Sequence, residues 1–176
     1  MFIRTIEPNS LYLERIREIN REAFPVEERM NVEEMYNWQG KSGVLGFFQH
    51  EDLIGFTLIL MNEAVVFMVL LAIDRQYRGR GYGSQVLAAI REQYPDRQII
   101  LDFEEVTEQS ENYAQRVSRK QFYLRNGFHE TGRYTKLSNE RFEVVCSEGD
   151  LNEAALLDIM ALIHWHTPEF DECLFY

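Results

Sequence analysis

The residues with the clearest chemical role lie in one short stretch, RQYRGRGYGS at positions 75–84, which holds three arginines and three glycines. A strand-like apolar run precedes it, and apolar residues at helical spacing follow it. The N–H groups at a helix N-terminus have no intrahelical partners and carry partial positive charge. Glycines let an anion approach the main chain closely. The stretch therefore predicts a site for a phosphate or a pyrophosphate.

The spacing of this stretch excludes two common phosphate sites. It lacks the Lys-Ser/Thr ending of a P-loop, which argues against a nucleoside triphosphatase. Gly79, Gly81 and Gly83 run G-x-G-x-G, whereas the dinucleotide fingerprint needs G-x-G-x-x-G, and Ser84 stands where its last glycine would fall. What remains is R-x-x-G-x-G, directly after a buried strand and at the start of a helix.

The composition restricts the classes of partner and of compartment. A net charge of −11 over 176 residues argues against binding nucleic acid, which requires clustered positive charge. The run of residues 53–73 is apolar, but Asn62 and Glu63 would lie in mid-bilayer, so we interpret it as two strands and exclude a membrane span. Two cysteines without ligand-like spacing and the lack of a signal sequence predict a reduced, cytoplasmic location.

The strands and helices that position the loop are predicted from the spacing of apolar residues and from the residues that start or end each element. We expect a single α/β domain over residues 1–176. A strand, two helices and a three-strand antiparallel meander precede the loop, and the loop helix ends before Pro95. A strand, RQIILDFE, and a helix over about 114–126 come next. A hairpin around Ser138-Asn139 follows, and Asp150 with Glu153 predicts the start of a last helix.

Two motifs in register resemble a known family. R-x-x-G-x-G at Arg78, Gly81 and Gly83 resembles the acetyl-CoA signature of the GNAT N-acetyltransferase superfamily. FYLRNGF, residues 122–128, resembles the helix-to-strand junction that follows the cofactor helix there. The order of elements agrees over nearly the whole chain. The resemblance implies a mixed, mostly antiparallel central sheet flanked by helices, with a splay beside the acetyl-CoA loop.

The resemblance also implies how the donor, acetyl-CoA, is bound. Main-chain groups at the end of the strand before the loop would hold its pantetheine arm, while their side chains pack in the core. The N–H of Leu71 would also polarise the thioester carbonyl. The main chain of the loop would cradle the pyrophosphate, and two arginines would pair with its phosphates. The predicted donor-binding residues are Leu71, Ala72, Ile73, Arg78, Gly79, Arg80, Gly81, Tyr82, Gly83 and Ser84.

Tyr123 lies at the family's usual general-acid position, in F-Y-x-x-x-G-F. A phenol of pKa about 10 suits protonation of a departing thiolate, whose reference pKa is about 8.5. A packing tyrosine is the alternative interpretation. No covalent intermediate with the enzyme is required.

The general base departs from the family pattern. The strand position where some members carry a glutamate holds Phe67, so we predict Glu104, at the end of ILDFEE, as its substitute. A solvated strand-end carboxylate and a water chain are the alternatives. Arg116 stands seven residues before Tyr123, where many members have an asparagine that contacts the cofactor. We interpret its basic helix as a solvated face, with an approach to the phosphates of the cofactor as the alternative.

The resemblance implies direct transfer of an acetyl group from acetyl-CoA to a primary amine of a small molecule or a peptide, without a metal. A catalytically inactive CoA-binding module that serves as a sensor or an assembly subunit is the alternative function. The aromatic C-terminal segment HWHTPEFDECLFY suggests a homodimer contact.

Overall fold

The computed structural model describes residues 1–26, 29–38, 41–137 and 140–166. These residues form a mixed α/β fold with a seven-strand, mostly antiparallel sheet and four α-helices, which confirms the predicted fold class. The chain divides into two compact units: Met1–Met61 with Met68–Pro95, and Asn62–Phe67 with Asp96–Tyr176. Within the described part, no helix is long and apolar enough to span a membrane. The predicted splay, the single domain and the homodimer stay predictions, and residues 167–176 of the expected dimer segment lie outside the described residues.

The first unit contains the predicted meander and the loop helix. Its elements are β1 Phe2–Thr5, α1 Leu13–Ala23, β2 Ser42–Gln49, β3 Asp52–Met61, β4 Val65–Ile73, whose first residues belong to the second unit, and α2 Tyr82–Gln93. The strands follow the order β1-β2-β3-β4, with β2 antiparallel to both β1 and β3. A 3-10 helix, Glu34–Tyr36, stands where a short second helix was predicted.

Helix α1 packs its apolar stripe into the core of the first unit. Ile16 and Ile19, three residues apart, are fully buried, while Glu14, Arg21 and Glu22 of the helix are exposed. Burial of apolar side chains supplies the main driving force for this packing. The core that covers α1 and the meander comprises Ile6, Ile16, Ile19, Val32, Met35, Val44, Phe48, Leu53, Phe56, Leu58, Leu70 and Ala72.

The second unit holds three further strands and two helices: β5 Gln98–Glu104, α3 Tyr113–Arg125, β6 His129–Leu137, β7 Glu140–Cys146 and α4 Glu153–His166. The strands are antiparallel, in the order β5-β7-β6. The predicted hairpin joins β6 and β7, and its turn residues, Ser138 and Asn139, lie outside the described residues. Helix α4 is capped by Asn152, whose Oδ1 accepts the N–H of Ala155 at 3.1 Å, and not by Asp150.

Candidate functional site

The end of β4 lies close against its neighbour β3 because a glycine stands at the point of contact. A Cβ atom on Gly55 would lie 2.4 Å from the carbonyl oxygen of Ala72 and 3.0 Å from Cδ1 of Ile73. Ala72 is buried, whereas Leu71 and Ile73 are half-buried. Of the three side chains predicted to pack in the core, only that of Ala72 is therefore fully inside it. The close packing holds the main chain of residues 71–73 in a defined position.

Asp74 marks the point where β4 ends and the loop begins. Its Oδ1 accepts the N–H of Gln76 at 2.9 Å, and a 3-10 helix, Arg75–Tyr77, follows. Its own N–H donates to the carbonyl oxygen of Ile54 at 2.8 Å. Aspartate side chains commonly close turns of this kind by accepting a main-chain N–H two residues on. The loop therefore leaves the sheet in a fixed direction.

Two glycines of the loop adopt main-chain angles that other residues avoid. Gly79 has φ +74° and Gly81 has φ +79°, both in the left-handed region. A Cβ at either position would meet nothing within 4 Å. Glycine is therefore favoured by the main-chain φ angle and not by a lack of space for a side chain. Gly81 is the N-cap of α2, and among the described residues none caps this helix end with a side chain. The first N–H groups of α2 are thus available to an anion.

The arginines of the loop add positive charge at the same place. Arg78 and Arg80 are exposed. Arg78 Nε donates to the carbonyl oxygen of Ile73 at 2.8 Å, which ties this side chain to the end of β4. The Arg80 guanidinium lies 5.8 Å from the ring centroid of Tyr77. The loop therefore combines main-chain donors with cationic side chains, as a phosphate site requires.

In the second unit, Tyr123 of α3 lies in an aromatic cluster. Its ring stacks on Phe103 of β5, with centroids 5.4 Å apart and an interplanar angle of 15°, and Phe128 packs edge-on at 5.9 Å. Burial raises the pKa of Tyr123 to about 12; the guanidinium of Arg119 opposes this rise, and the carboxylate of Asp102 adds to it. The phenol consequently keeps its proton throughout the physiological pH range.

Glu104, the predicted base, is buried at the end of β5 and has partners of its own. The Arg119 guanidinium is in contact with its Oε2. Asn112 Nδ2 donates to its Oε1 at 3.4 Å. The ion pair occupies one of the two oxygens that could accept a proton in the predicted role.

A second carboxyl group, Asp102, lies two residues earlier in β5 and was missed by the sequence analysis. It is half-buried and accepts a hydrogen bond on Oδ2 from Thr135 Oγ1 at 2.5 Å. Burial raises its pKa to about 6, against the opposing effect of the hydrogen bond from Thr135. Its charge interacts with that of Tyr123. The signal in the sequence was one acidic residue inside an otherwise apolar strand, IILDF.

The comparison with protein families decides the classification of this chain. A model of the acetyltransferase (GNAT) family matches residues 13–128, which is more than half of the chain and includes both the loop and Tyr123. The chain belongs to the GNAT acetyltransferase family.

Solved structures of other GNAT proteins share this fold. A GNAT-family protein from Bacteroides thetaiotaomicron has 21% identity, covers 93% of this chain and 96% of its own, and gives a TM-score of 0.75. An aminoglycoside 6'-N-acetyltransferase complexed with coenzyme A has 15% identity and a TM-score of 0.64, and the match covers 83% of this chain and 96% of that protein. The ribosomal-protein-S18-alanine N-acetyltransferase from Escherichia coli has 16% identity and a TM-score of 0.60, and the match covers 86% of this chain and 97% of that protein. No curated protein matches the chain.

Arg116 is where this GNAT protein departs from the family pattern, and the interpretation of this residue as part of a solvated face is wrong. It is 8% exposed. Its Nε donates to Asn112 Oδ1 at 2.7 Å, Nη1 donates to the carbonyl oxygen of Glu105 at 2.9 Å, and both Nη atoms lie 3.3 Å from the carboxylate of Glu140. Arg116 thus joins the start of α3 to the residue that follows β5 and to the first residue of β7.

The described residues form no cluster that could hold a metal ion, and the thiol of Cys146 is poorly suited to attack a substrate. In the part of the chain that the structure describes, no group of three or more His, Cys, Asp or Glu side chains could hold a metal ion. Burial raises the pKa of the Cys146 thiol to about 11, and the charge of Asp150 adds to this rise. Cys146 therefore stays a thiol at neutral pH and is a poor nucleophile.

Proposed function

We propose that this GNAT protein transfers the acetyl group of acetyl-CoA to a primary amine of a small molecule or a peptide. The observation that supports an enzyme over a CoA-binding module is the pair of Asp102 and Tyr123 in the second unit. One is a carboxyl group with a pKa of about 6, the other a phenol with a pKa of about 12, and their charges interact. Surroundings that push the two pKa values apart suit the carboxyl group to act as a base and the phenol to act as a hydrogen-bond donor that keeps its proton.

The donor is bound through the first unit in this proposal. The N–H groups of residues 79–84 hold the pyrophosphate, and Arg78 and Arg80 neutralise its charge. The main chain of Leu71, Ala72 and Ile73 holds the pantetheine arm, and the N–H of Leu71 donates to the thioester oxygen as negative charge develops there. The uncapped start of α2 and the exposed arginines support this assignment.

The chemical step proceeds without a covalent enzyme intermediate. The neutral amine attacks the thioester carbon, the C–N bond forms and the C–S bond breaks. One proton of the amine passes to a carboxylate of β5. Transfer of the Tyr123 proton to a thiolate, whose conjugate acid has a pKa of about 8.5, costs about 5 kcal/mol. Tyr123 therefore acts mainly by donating a hydrogen bond to the sulfur as its charge develops.

Two carboxylates of β5 are candidates for the base. Glu104 is the candidate proposed from the sequence, but Arg119 occupies one of its oxygens. The pKa of Asp102 is about 6, so at neutral pH this group is mostly ionised and still basic enough to accept a proton. We propose Asp102 as the base, with Glu104 as the alternative.

The experiment that tests the function is a panel of amines incubated with acetyl-CoA and the protein, monitored by release of free thiol. We expect release that depends on both protein and amine, with the acetylated amine identified by mass spectrometry. The panel contains aminoglycosides, polyamines, amino acids and peptides with a free N-terminus. Measured coenzyme A binding without amine-dependent release from any of them would favour the inactive binding module instead.

A further inference from the structure

The loop that we assign to the pyrophosphate is attached to helix α1 of the same unit by one ion pair. Asp74, at the start of the loop, is 2% exposed. Arg15 Nη2 of α1 is in contact with its Oδ2, while its Oδ1 accepts the N–H of Gln76. Both carboxylate oxygens of Asp74 are thus engaged, one by the loop itself and one by α1.

Arg15 has a neighbour on α1 that provides a natural comparison. Arg15 pairs with Glu18 at 2.5 Å and with Asp74. Arg17 pairs with Glu14 at 2.9 Å and with Glu33. The two arginine side chains have the same exposure, 35%, and each has two carboxylate partners. Of these partners, only Asp74 belongs to the loop.

Because Asp74 is buried, the loss of its ion pair should disturb the structure more than the loss of the exposed ion pairs of Arg17. A buried carboxylate without a partner is strongly unfavourable, so the main chain around it would move to expose or solvate the group if the cation were removed. Glu14 and Glu33 are exposed, and ion pairs at such positions contribute little. Residues 75–81 follow Asp74 directly, so a movement at Asp74 displaces the N–H groups that the loop presents.

We propose that Arg15 is a positioning residue for the donor: through Asp74 it holds the pyrophosphate loop in the conformation that binds acetyl-CoA. This inference rests on the proposed function, and in particular on the assignment of the loop to the pyrophosphate. Arg15 itself touches no reacting atom. Its effect falls on the affinity for the donor and leaves the chemical step unchanged.

The test compares Arg15→Met with Arg17→Met by calorimetric titration with coenzyme A. We expect Arg15→Met to bind about tenfold more weakly than the wild type, the loss typical of one charge-assisted contact. Arg17→Met should stay within about twofold, as expected for exposed ion pairs. With an active amine, Arg15→Met should raise KM for acetyl-CoA by a similar factor and leave kcat unchanged. Arg15→Lys should recover part of the affinity because it restores the positive charge.

A double-mutant cycle with Asp74→Asn shows whether the pair acts as a unit. The asparagine retains an oxygen for the N–H of Gln76 but loses the charge that Arg15 contacts. We expect Arg15→Met to cause no further loss of affinity in the Asp74→Asn background. If the unpaired carboxylate prevents Arg15→Met from folding, Asp74→Asn and the double variant carry the test. Both should then bind coenzyme A about tenfold more weakly than the wild type, and equally.

The outcomes separate this inference from the proposed function. A wild-type protein that does not bind coenzyme A contradicts the proposed function and this inference together. A wild type that binds, with a folded Arg15→Met variant of equal affinity, contradicts the inference alone. Equal losses in Arg15→Met and Arg17→Met would also overturn it, because they would reflect the charge of α1 in general.

Discussion

The pyrophosphate loop of the first unit and the Asp102–Tyr123 pair of the second unit differ in which part of the chain carries the chemistry. The loop is exposed and offers main-chain N–H groups, which two glycines with positive φ present at the start of a helix. In the proposed mechanism Asp102 and Tyr123 act through their side chains, and burial shifts both of their pKa values. Changes in the loop should therefore alter binding of the donor, and changes in the pair should alter turnover and its pH dependence.

The largest effect that this comparison predicts is the loss of turnover in Tyr123→Phe. The phenylalanine retains the stack on Phe103 and removes only the hydroxyl. We expect kcat to fall a hundredfold or more, as for loss of a hydrogen-bond donor to developing negative charge, with KM for acetyl-CoA changed by less than about threefold. Tyr113→Phe, at an exposed position of the same helix, is the control and should leave both constants unchanged. An unaltered kcat in Tyr123→Phe would remove Tyr123 from the mechanism.

The next effect is on the pH profile of Asp102→Asn. With the pKa of Asp102 at about 6, the active carboxylate is lost as the pH falls through 6. The wild type should therefore show an acidic limb near pH 6 in kcat/KM against pH. Asp102→Asn should lower kcat about fiftyfold at pH 7.5 and abolish that limb. Persistence of the limb in the variant would show that another group titrates there.

The same substitution should make the protein more stable at neutral pH. The folded-state pKa of Asp102, about 6, lies above the value of about 3.9 expected in the unfolded chain. Between these values the folded state binds more protons, so this group lowers stability as the pH rises. Asparagine removes that penalty, and we expect Asp102→Asn to gain on the order of 2 kcal/mol at pH 7 and little near pH 4. Urea unfolding of both proteins at the two pH values measures the difference, and equal gains at both would contradict it.

The conformation of the loop could be predicted from the sequence because it depends on the spacing of its glycines. R-x-x-G-x-G encodes the turn and the start of α2, and the structure places these residues on one loop after β4. Asp102 could not be found in this way, because its pKa depends on burial and on Thr135, 33 residues along the chain. Arg116 shows the same limit: its basic neighbours in QRVSRK predicted an exposed face, but Glu105 and Glu140 enclose its guanidinium.

A smaller effect separates the strain of the loop glycines from their function. Gly81 in the loop and Gly132 in β6 have similar φ angles, +79° and +70°, and a Cβ at either would meet nothing within 4 Å. Alanine in this region costs about 1 kcal/mol, so Gly81→Ala and Gly132→Ala should lose similar stability in thermal unfolding. Only Gly81→Ala should raise KM for acetyl-CoA, by about fivefold, because the first N–H groups of α2 shift. An equal rise in Gly132→Ala would assign the effect to general destabilisation.

The smallest effect is expected for Glu104→Gln, and it decides between the two carboxylates of β5. Glutamine keeps the size of the side chain and its contact with Asn112, and it removes the ion pair with Arg119. If Asp102 is the base, Glu104→Gln should lower kcat threefold at most, and the acidic limb near pH 6 should remain. If Glu104 is the base, its variant should lose that limb and as much turnover as we expect of Asp102→Asn. A full pH profile of kcat/KM for both variants distinguishes these results, because only the group that accepts the proton can remove the limb.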